Sequence, residues 1–326
     1  MHFTSPKWLI ENGGWENEAT VEAFKNYCQY VTEQLGDLMH YVCTINEANM
    51  GIQVAAISAR YRAQMMAKMQ RMQQGGAEEK KDLEGTAQVG MNFNDMMANM
   101  QKQKEENVEI FGTDTLQTFV SARTPEGDML VIRAHQAARA AMKAVKPELQ
   151  IGLTLSLHDI QAQEGGEETA AKEWVDEFTH YVPYIKEDDF FGLQNYSRSL
   201  IGPNGILPVP EGAEITQMDY EYYPEGLEHV IRRVYEEMPM PIMVTENGIA
   251  TADDTRRVAY IQTAMKGVEN CIQDGIPVKG YMYWSMMDNF EWQKGFGMTF
   301  GLISVDRTTQ TRTAKPSLTV LGNYTK

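Results

Sequence analysis

Residues 241–248 read PIMVTENG and residues 280–288 read GYMYWSMMD. Both are short runs, nearly continuous in apolar character, that end on polar residues. Three upstream segments repeat the pattern: HYVCTINE (40–47), QIGLTLSLH (150–158) and FFGLQNYS (190–197). Strands that alternate apolar and polar residues bury one face. Strands apolar throughout are buried on both, as in parallel sheets covered by helices. Helical patterns fill the intervals. Val21, Phe24, Tyr27, Cys28, Val31 and Leu35 form one stripe within 18–35, and 128–145, 167–181, 223–237 and 254–273 also read as helices. Strands alternating with helices predict βαβ units, and with them an α/β fold.

Composition narrows the function. The 326 residues are 43% hydrophobic and 23% charged, with a net charge of −16. That balance suits a folded globular chain and opposes binding to a nucleic-acid backbone. A neutral, hydroxyl-rich substrate fits the surface better than an anionic one. The three cysteines, Cys28, Cys43 and Cys271, form no CxxC pair, so neither a disulfide framework nor a zinc site is expected. The N-terminal residues lack a basic segment followed by an apolar one, and no run approaches the ~20 apolar residues of a membrane span. The expectation is a cytoplasmic protein that engages no membrane.

Residues 51–110 break the rhythm. They are rich in methionine and glutamine, with Gln73-Gln74-Gly75-Gly76 followed by a charged run from Glu78 to Glu84. Arg60 to Met72 is expected to form an amphipathic helix with a methionine face packed on its own domain. A mobile, weakly periodic insertion over 73–108 is expected to follow. No linker divides the chain, so residues 1–326 are expected to form a single domain.

Two glutamates end apolar runs: Glu47 in TINEAN and Glu246 in VTENG. In a βα-barrel the active site forms at the C-terminal ends of the strands. Two carboxylates there meet the requirement of glycosidic cleavage, one as a proton donor and one as an ionised group at the anomeric carbon. Downstream, 280–306 supplies Trp284, Glu291, Trp292 and Phe296. Indoles stack on the apolar faces of sugar rings, and a carboxylate accepts hydrogen bonds from hydroxyls.

Taken together, these motifs resemble glycoside hydrolase family 1, the β-glucosidase family. The run HFTSPKWLIENGGWEN (2–17) looks like the family's segment around its third strand end, and TINEAN (44–49) like its acid/base strand. GLQNYSR (192–198) looks like the sixth strand, VTENG (244–248) like the nucleophile strand, and YWSMMDNFEW (283–292) like the sugar-recognition loop. The resemblance implies a (β/α)8 TIM barrel, incomplete at the N-terminus, with strands 4–8 complete and only the end of strand 3 present. It implies retaining hydrolysis of terminal, non-phosphorylated β-D-glycosides by double displacement, with no metal or organic cofactor. Glu47 would be the acid/base and Glu246 the nucleophile, the carboxyl groups standing about 5–5.5 Å apart. Asn46 would bind the sugar 2-hydroxyl, His2 the 3-hydroxyl and Glu291 the 4- and 6-hydroxyls. Trp284 would lie beneath the ring, Trp292 at its edge and Gln194 on the acceptor side, while Tyr196 would hydrogen-bond the nucleophile.

Ala48 departs from the proline that usually follows the acid/base. The family's first-strand glutamine and second-strand arginine have no counterpart in the sequence. A barrel short of strands has open edges, so the chain is expected to need a further polypeptide segment or a second copy of itself besides its glycoside or oligosaccharide substrate. Three readings compete with a non-phosphorylated β-glucosidase. One is an inactive fragment or carbohydrate-binding remnant, and another an interaction module built on the methionine-rich insertion. The third, a 6-phospho-β-glucosidase, is opposed by Glu291, whose charge would repel phosphate.

Overall fold

The computed structural model describes residues 1–73, 93–112, 114 and 116–325. In chain order the helices and strands are α1 (Lys7–Glu11), α2 (Ala19–Leu35), β1 (Tyr41–Cys43), α3 (Met50–Gln73), α4 (Phe93–Phe111), α5 (Pro125–Val145), β2 (Gln150–Gly152), β3 (Thr154–Ser156), β4 (Asp159–Ala162), α6 (Glu167–Glu177), α7 (Val182–Ile185), β5 (Phe191–Gln194), β6 (Arg198–Gly202), β7 (Gly205–Ile206), α8 (Gly226–Glu237), β8 (Ile242–Asn247), α9 (Asp254–Gln273), β9 (Val278–Tyr283), β10 (Ile303–Val305), β11 (Arg312–Ala314) and α10 (Pro316–Gly322). They gather into two compact units. One takes the described residues up to Ser156 together with Asp176–Asp189; the other takes Leu157–Val175 and the chain from Phe190 onward.

In the first unit, β1 pairs in parallel with β2, Tyr41 opposite Gln150 and Cys43 opposite Gly152. Helix α2 buries Thr20, Phe24, Cys28 and Thr32, a stripe at four-residue spacing. Helix α5 starts sharply because Thr124 caps it, its hydroxyl accepting from Gly127 N at 3.0 Å, and Pro125 occupies the first turn. Trp15, Phe24 and Phe119 form an aromatic core, the Trp15 ring meeting the other two edge-on at 5.5 and 5.4 Å.

In the second unit, β5, β8 and β9 lie side by side in parallel, and β4 pairs in parallel with β6. Short antiparallel pairs, β6 with β7 and β10 with β11, decorate them. Leu193, Ile242 and Val244 are fully buried, each worth about 1.5–3 kcal/mol relative to exposure. Helix α8 buries Leu227, Val230, Ile231 and Val234, and α9 buries Tyr260, Ile261, Ala264, Val268 and Cys271. Asp253 caps α9, accepting from Thr255 N at 2.9 Å.

The methionine-rich stretch differs from expectation in two ways. Its first helix starts at Met50, ten residues before Arg60, because the turn at Glu47 already supplies the first carbonyls: Met50 N donates to Glu47 O, and Ile52 N and Gln53 N to Asn49 O. The segment 93–111, read as weakly periodic and mobile, forms helix α4. It contains no glycine or proline and is dense in Met, Gln, Lys and Glu, so propensity favours a helix where the polar run 101–107 interrupts the apolar spacing. The glycine pair and the charged run at 78–84 lie outside the described residues.

Candidate active site

The first unit carries Glu47, Asn46 and His2. Glu47 lies beyond β1, buried, with a left-handed backbone (φ +46°) uncommon for a residue with a side chain. The backbone around it is pinned. Thr44 N donates to Gly152 O at 3.1 Å, Thr154 N to Ile45 O at 3.3 Å and Ala48 N to Thr154 O at 2.9 Å. Asn49, fully buried, ties the turn down further: its amide donates to Ser156 O at 2.8 Å and Glu177 O at 3.1 Å, and its oxygen accepts from Ser156 N at 3.1 Å. The buried Arg123 guanidinium donates to Ala48 O and lies 3.9 Å from Asp128. Beneath the strand, Thr44 Oγ1 meets His135 Nδ1 at 2.7 Å, and His135 Nε2 meets Asp188 at 3.0 Å. This web is how the chain holds a costly φ at Glu47. Asn46, half-buried, donates its backbone N–H to Met1 O at 2.9 Å. His2 sits with its ring 5.0 Å from Phe3, which in turn stacks on Phe119 at 5.8 Å. Partial burial, helped by the neighbouring terminal ammonium, lowers the His2 imidazole.

The second unit carries the remaining candidates. Glu246 is the penultimate residue of β8 and stands opposite Gln194, the last residue of β5. Tyr196, two residues past that strand, donates its hydroxyl to Glu246 Oε2 at 2.6 Å. Burial pushes the Glu246 carboxyl up to about 7. The Tyr196 hydrogen bond opposes this, the charge of Glu291 reinforces it, and a hydrogen bond from Gln194 opposes it again.

Glu291 and Trp292 belong to a loop built to hold its shape. The chain leaves β9 through Trp284 and turns tightly at Glu291, whose N–H donates to Gly295 O at 2.8 Å while Lys294 N donates to Glu291 O at 2.7 Å. Phe290 and Phe296 close the loop edge-to-face at 5.1 Å. Its entry is anchored at Asp288, which accepts from Lys315 Nζ at 3.0 Å on both oxygens and from Gly301 N at 2.8 Å. The Trp284 indole donates to Glu291. Burial nonetheless raises the Glu291 carboxyl, and that hydrogen bond pulls the other way. Trp292 is 38% exposed. The structure thus brings Gln194, Tyr196, Glu246, Trp284, Glu291 and Trp292 into one unit, and places His2, Asn46 and Glu47 in the other.

The residues that pin the Glu47 turn, Asn49, Arg123 and His135, were not singled out from the sequence. A lone arginine in a loop and a histidine inside a helix stripe carry no local signal of such a role. Among the described residues no group of three or more His, Cys, Asp or Glu side chains could hold a metal ion, and no helix is long and apolar enough to cross a membrane.

The model of "Glycosyl hydrolase family 1" matches residues 1–74 and 54–324. A β-glucosidase of Agrobacterium sp. is 26% identical over 97% of this chain and 68% of its own length. A 1,4-β-D-glucan glucohydrolase of Thermotoga neapolitana is 37% identical over 147 residues, 40% of this chain and 33% of its own. Among solved structures, β-glycosidase BGL167 superposes with a TM-score of 0.80 at 41% identity, covering 99% of this chain and 71% of that one. An apo β-glucosidase, 1317, gives 0.81 at 35% identity, with 99% and 72% covered. The chain therefore spans about two thirds of the length of the relatives it matches from end to end. The α/β fold with parallel strands matches solved β-glycosidases that are (β/α)8 barrels, and the chain belongs to glycosyl hydrolase family 1.

Proposed function

We propose that this chain carries the reacting groups of a retaining β-glycosidase acting on terminal, non-phosphorylated β-D-glycosides. The observation that carries the reading is Glu246: a largely buried carboxylate at a strand end, met at 2.6 Å by the Tyr196 hydroxyl and sharing its surroundings with Glu291. In the first step the Glu246 carboxylate attacks the anomeric carbon. The bond to the aglycone oxygen breaks, and Glu47 gives that oxygen its proton. In the second, Glu47 takes a proton from water, and the water oxygen displaces Glu246 from the same carbon. Two inversions leave the configuration retained.

Sugar recognition follows from the same reading. Glu291, half-buried and braced by Trp284, accepts hydrogen bonds from the 4- and 6-hydroxyls. Trp284 underlies the ring and Trp292 borders it. His2 and Asn46 contact the 3- and 2-hydroxyls, and Gln194 serves the acceptor side. A carboxylate at Glu291 opposes a 6-phosphate, although a 6-phospho-β-galactosidase of Lacticaseibacillus casei is among the relatives, 25% identical over 97% of this chain.

The test is proton NMR of the first sugar released from aryl β-D-glucoside, with the β-D-galactoside and the 6-phosphorylated glucoside run alongside. The β anomer should appear first and convert slowly to the equilibrium mixture, and the phosphorylated substrate should be the poorest. An α anomer released first would overturn retention. Preference for the phosphorylated substrate would overturn the assignment of Glu291, and absence of turnover on all three would favour a carbohydrate-binding remnant.

A further inference from the structure

Behind Glu246 lies a chain of buried hydrogen bonds that the mechanism does not use. Its members are Tyr281 on β9, Asn247 at the end of β8, Tyr260 on α9 and Tyr196 after β5. Tyr281 donates its hydroxyl to Asn247 Oδ1 at 2.8 Å. The Asn247 amide spends its two hydrogens on Asn195 O, at 2.6 Å, and on the Tyr260 hydroxyl, at 2.9 Å. Tyr260, its oxygen so engaged, donates its own proton to Tyr196 O at 3.3 Å. Tyr196 then donates its hydroxyl to Glu246 Oε2. Asn247 and Tyr260 are fully buried.

The polarity is consistent along the whole chain. Asn247 can adopt only one amide orientation, because its oxygen must face the Tyr281 donor and its nitrogen the two acceptors. That leaves the Tyr260 proton a single direction, toward the backbone of Tyr196. Two carbonyls flanking the turn after β5, those of Asn195 and Tyr196, are thereby held by side chains from α9 and β8. A satisfied buried network of this kind rigidifies what it touches. What it touches is the peptide that aims the Tyr196 phenol at Glu246.

We propose that Tyr260 is a positioning residue for glycoside hydrolysis: its hydroxyl fixes the backbone of Tyr196 and so keeps the Tyr196 hydroxyl on Glu246. The inference rests on the role of Glu246 given above. It also has a directional consequence. The groups that face the Glu246 carboxyl are Tyr196 and Gln194, whose hydrogen bonds lower its pKa, and Glu291, whose charge raises it. Loosening Tyr196 weakens the larger of the two lowering influences, so the carboxyl must move up.

Three substitutions test this by two measurements, the acid limb of kcat/KM on an aryl β-glucoside and a carbon-13 NMR titration of the Glu246 carboxyl, assigned by its loss in Glu246→Gln. Tyr260→Phe should raise the acid limb and the carboxyl titration together by about half a unit, a roughly three-fold loss of kcat/KM below the limb. Tyr196→Phe should move both the same way and further. Tyr222→Phe is the control, since its ring packs edge-on against Tyr260 at 5.8 Å while its hydroxyl points to Arg256 O; it should move neither. Should Tyr260→Phe fail to fold, Tyr281→Phe breaks the same chain one bond further away and should give a smaller shift of the same sign. A Tyr260→Phe enzyme with unchanged limb and unchanged titration, or a control that shifts as much, overturns the proposal. If the titration moves but no variant nor the parent hydrolyses glycosides, the relay stands and the function assigned to Glu246 falls.

Discussion

Glu246 should destabilise the fold at the pH where it is most useful. Its carboxyl is raised from an ordinary value of 4.5 to about 7, chiefly by burial. Below pH 4.5 it is protonated in folded and unfolded chains alike and costs nothing. Between 4.5 and 7 the folded state holds the proton more tightly, so stability falls as pH rises, and above 7 the full penalty remains. At about 1.4 kcal/mol per unit, the cost is under about 1 kcal/mol at pH 5 and about 3 kcal/mol at pH 8. Glu246→Gln removes the charge and keeps an acceptor for Tyr196. The variant should therefore unfold at higher urea than the parent at pH 8, by about 3 kcal/mol, and nearly together with it at pH 5. Circular dichroism through a urea series at both pH values reads this directly. An equal difference at the two pH values, or a variant weaker at pH 8, would show that Glu246 is not held against its own charge.

Three further expectations follow from named contacts. Glu47→Ala should cost about 10²–10⁴-fold on alkyl glucosides, which need a proton at bond breaking, far less on dinitrophenyl glucosides, and should erase the alkaline limb of the rate profile; equal losses across leaving groups would place the proton donor elsewhere. Gly248→Ala should cost more than ~3 kcal/mol in urea unfolding, since a Cβ there would lie 2.0 Å from the Trp284 carbonyl oxygen, and a change within error would mean the end of β9 can yield. Lys315→Met unties Asp288 and the loop bearing Glu291 and Trp292, so KM for an aryl glucoside should rise several-fold with kcat little changed; the opposite split would mean the loop serves chemistry rather than binding.

Strands and helices of the parallel units were legible because burial on both faces leaves an unbroken apolar run, as in Ile242-Met-Val244, and because a buried helix face leaves an apolar stripe, as Phe24 and Cys28 do in α2. Helix α4 was not, since its apolar positions Phe93, Met96, Met97 and Met100 are cut off from Val108 and Phe111 by the wholly polar run 101–107. The strand holding Glu47 was expected to run to the glutamate itself; it stops at Cys43, and the rest is a turn stabilised by Asn49, Arg123 and Thr154, residues far apart in sequence. The two candidate carboxylates, Glu47 and Glu246, stood out because each follows an apolar run. The relay from Tyr281 to Tyr196 did not, because a tyrosine in a helix stripe reads as core, and only the partner of its hydroxyl distinguishes it.

The central claim is that Glu246 forms a covalent bond to the sugar. A 2-deoxy-2-fluoro-β-D-glucoside with a dinitrophenolate leaving group tests it most directly. The fluorine destabilises the cationic transition states of both steps, while the good leaving group lets the first proceed, so the glycosyl-enzyme accumulates. Mass spectrometry of the digested protein should find one fluoroglucosyl unit, on the peptide containing Glu246, and none in Glu246→Gln. An adduct on any other side chain, or none after prolonged incubation, would contradict the account.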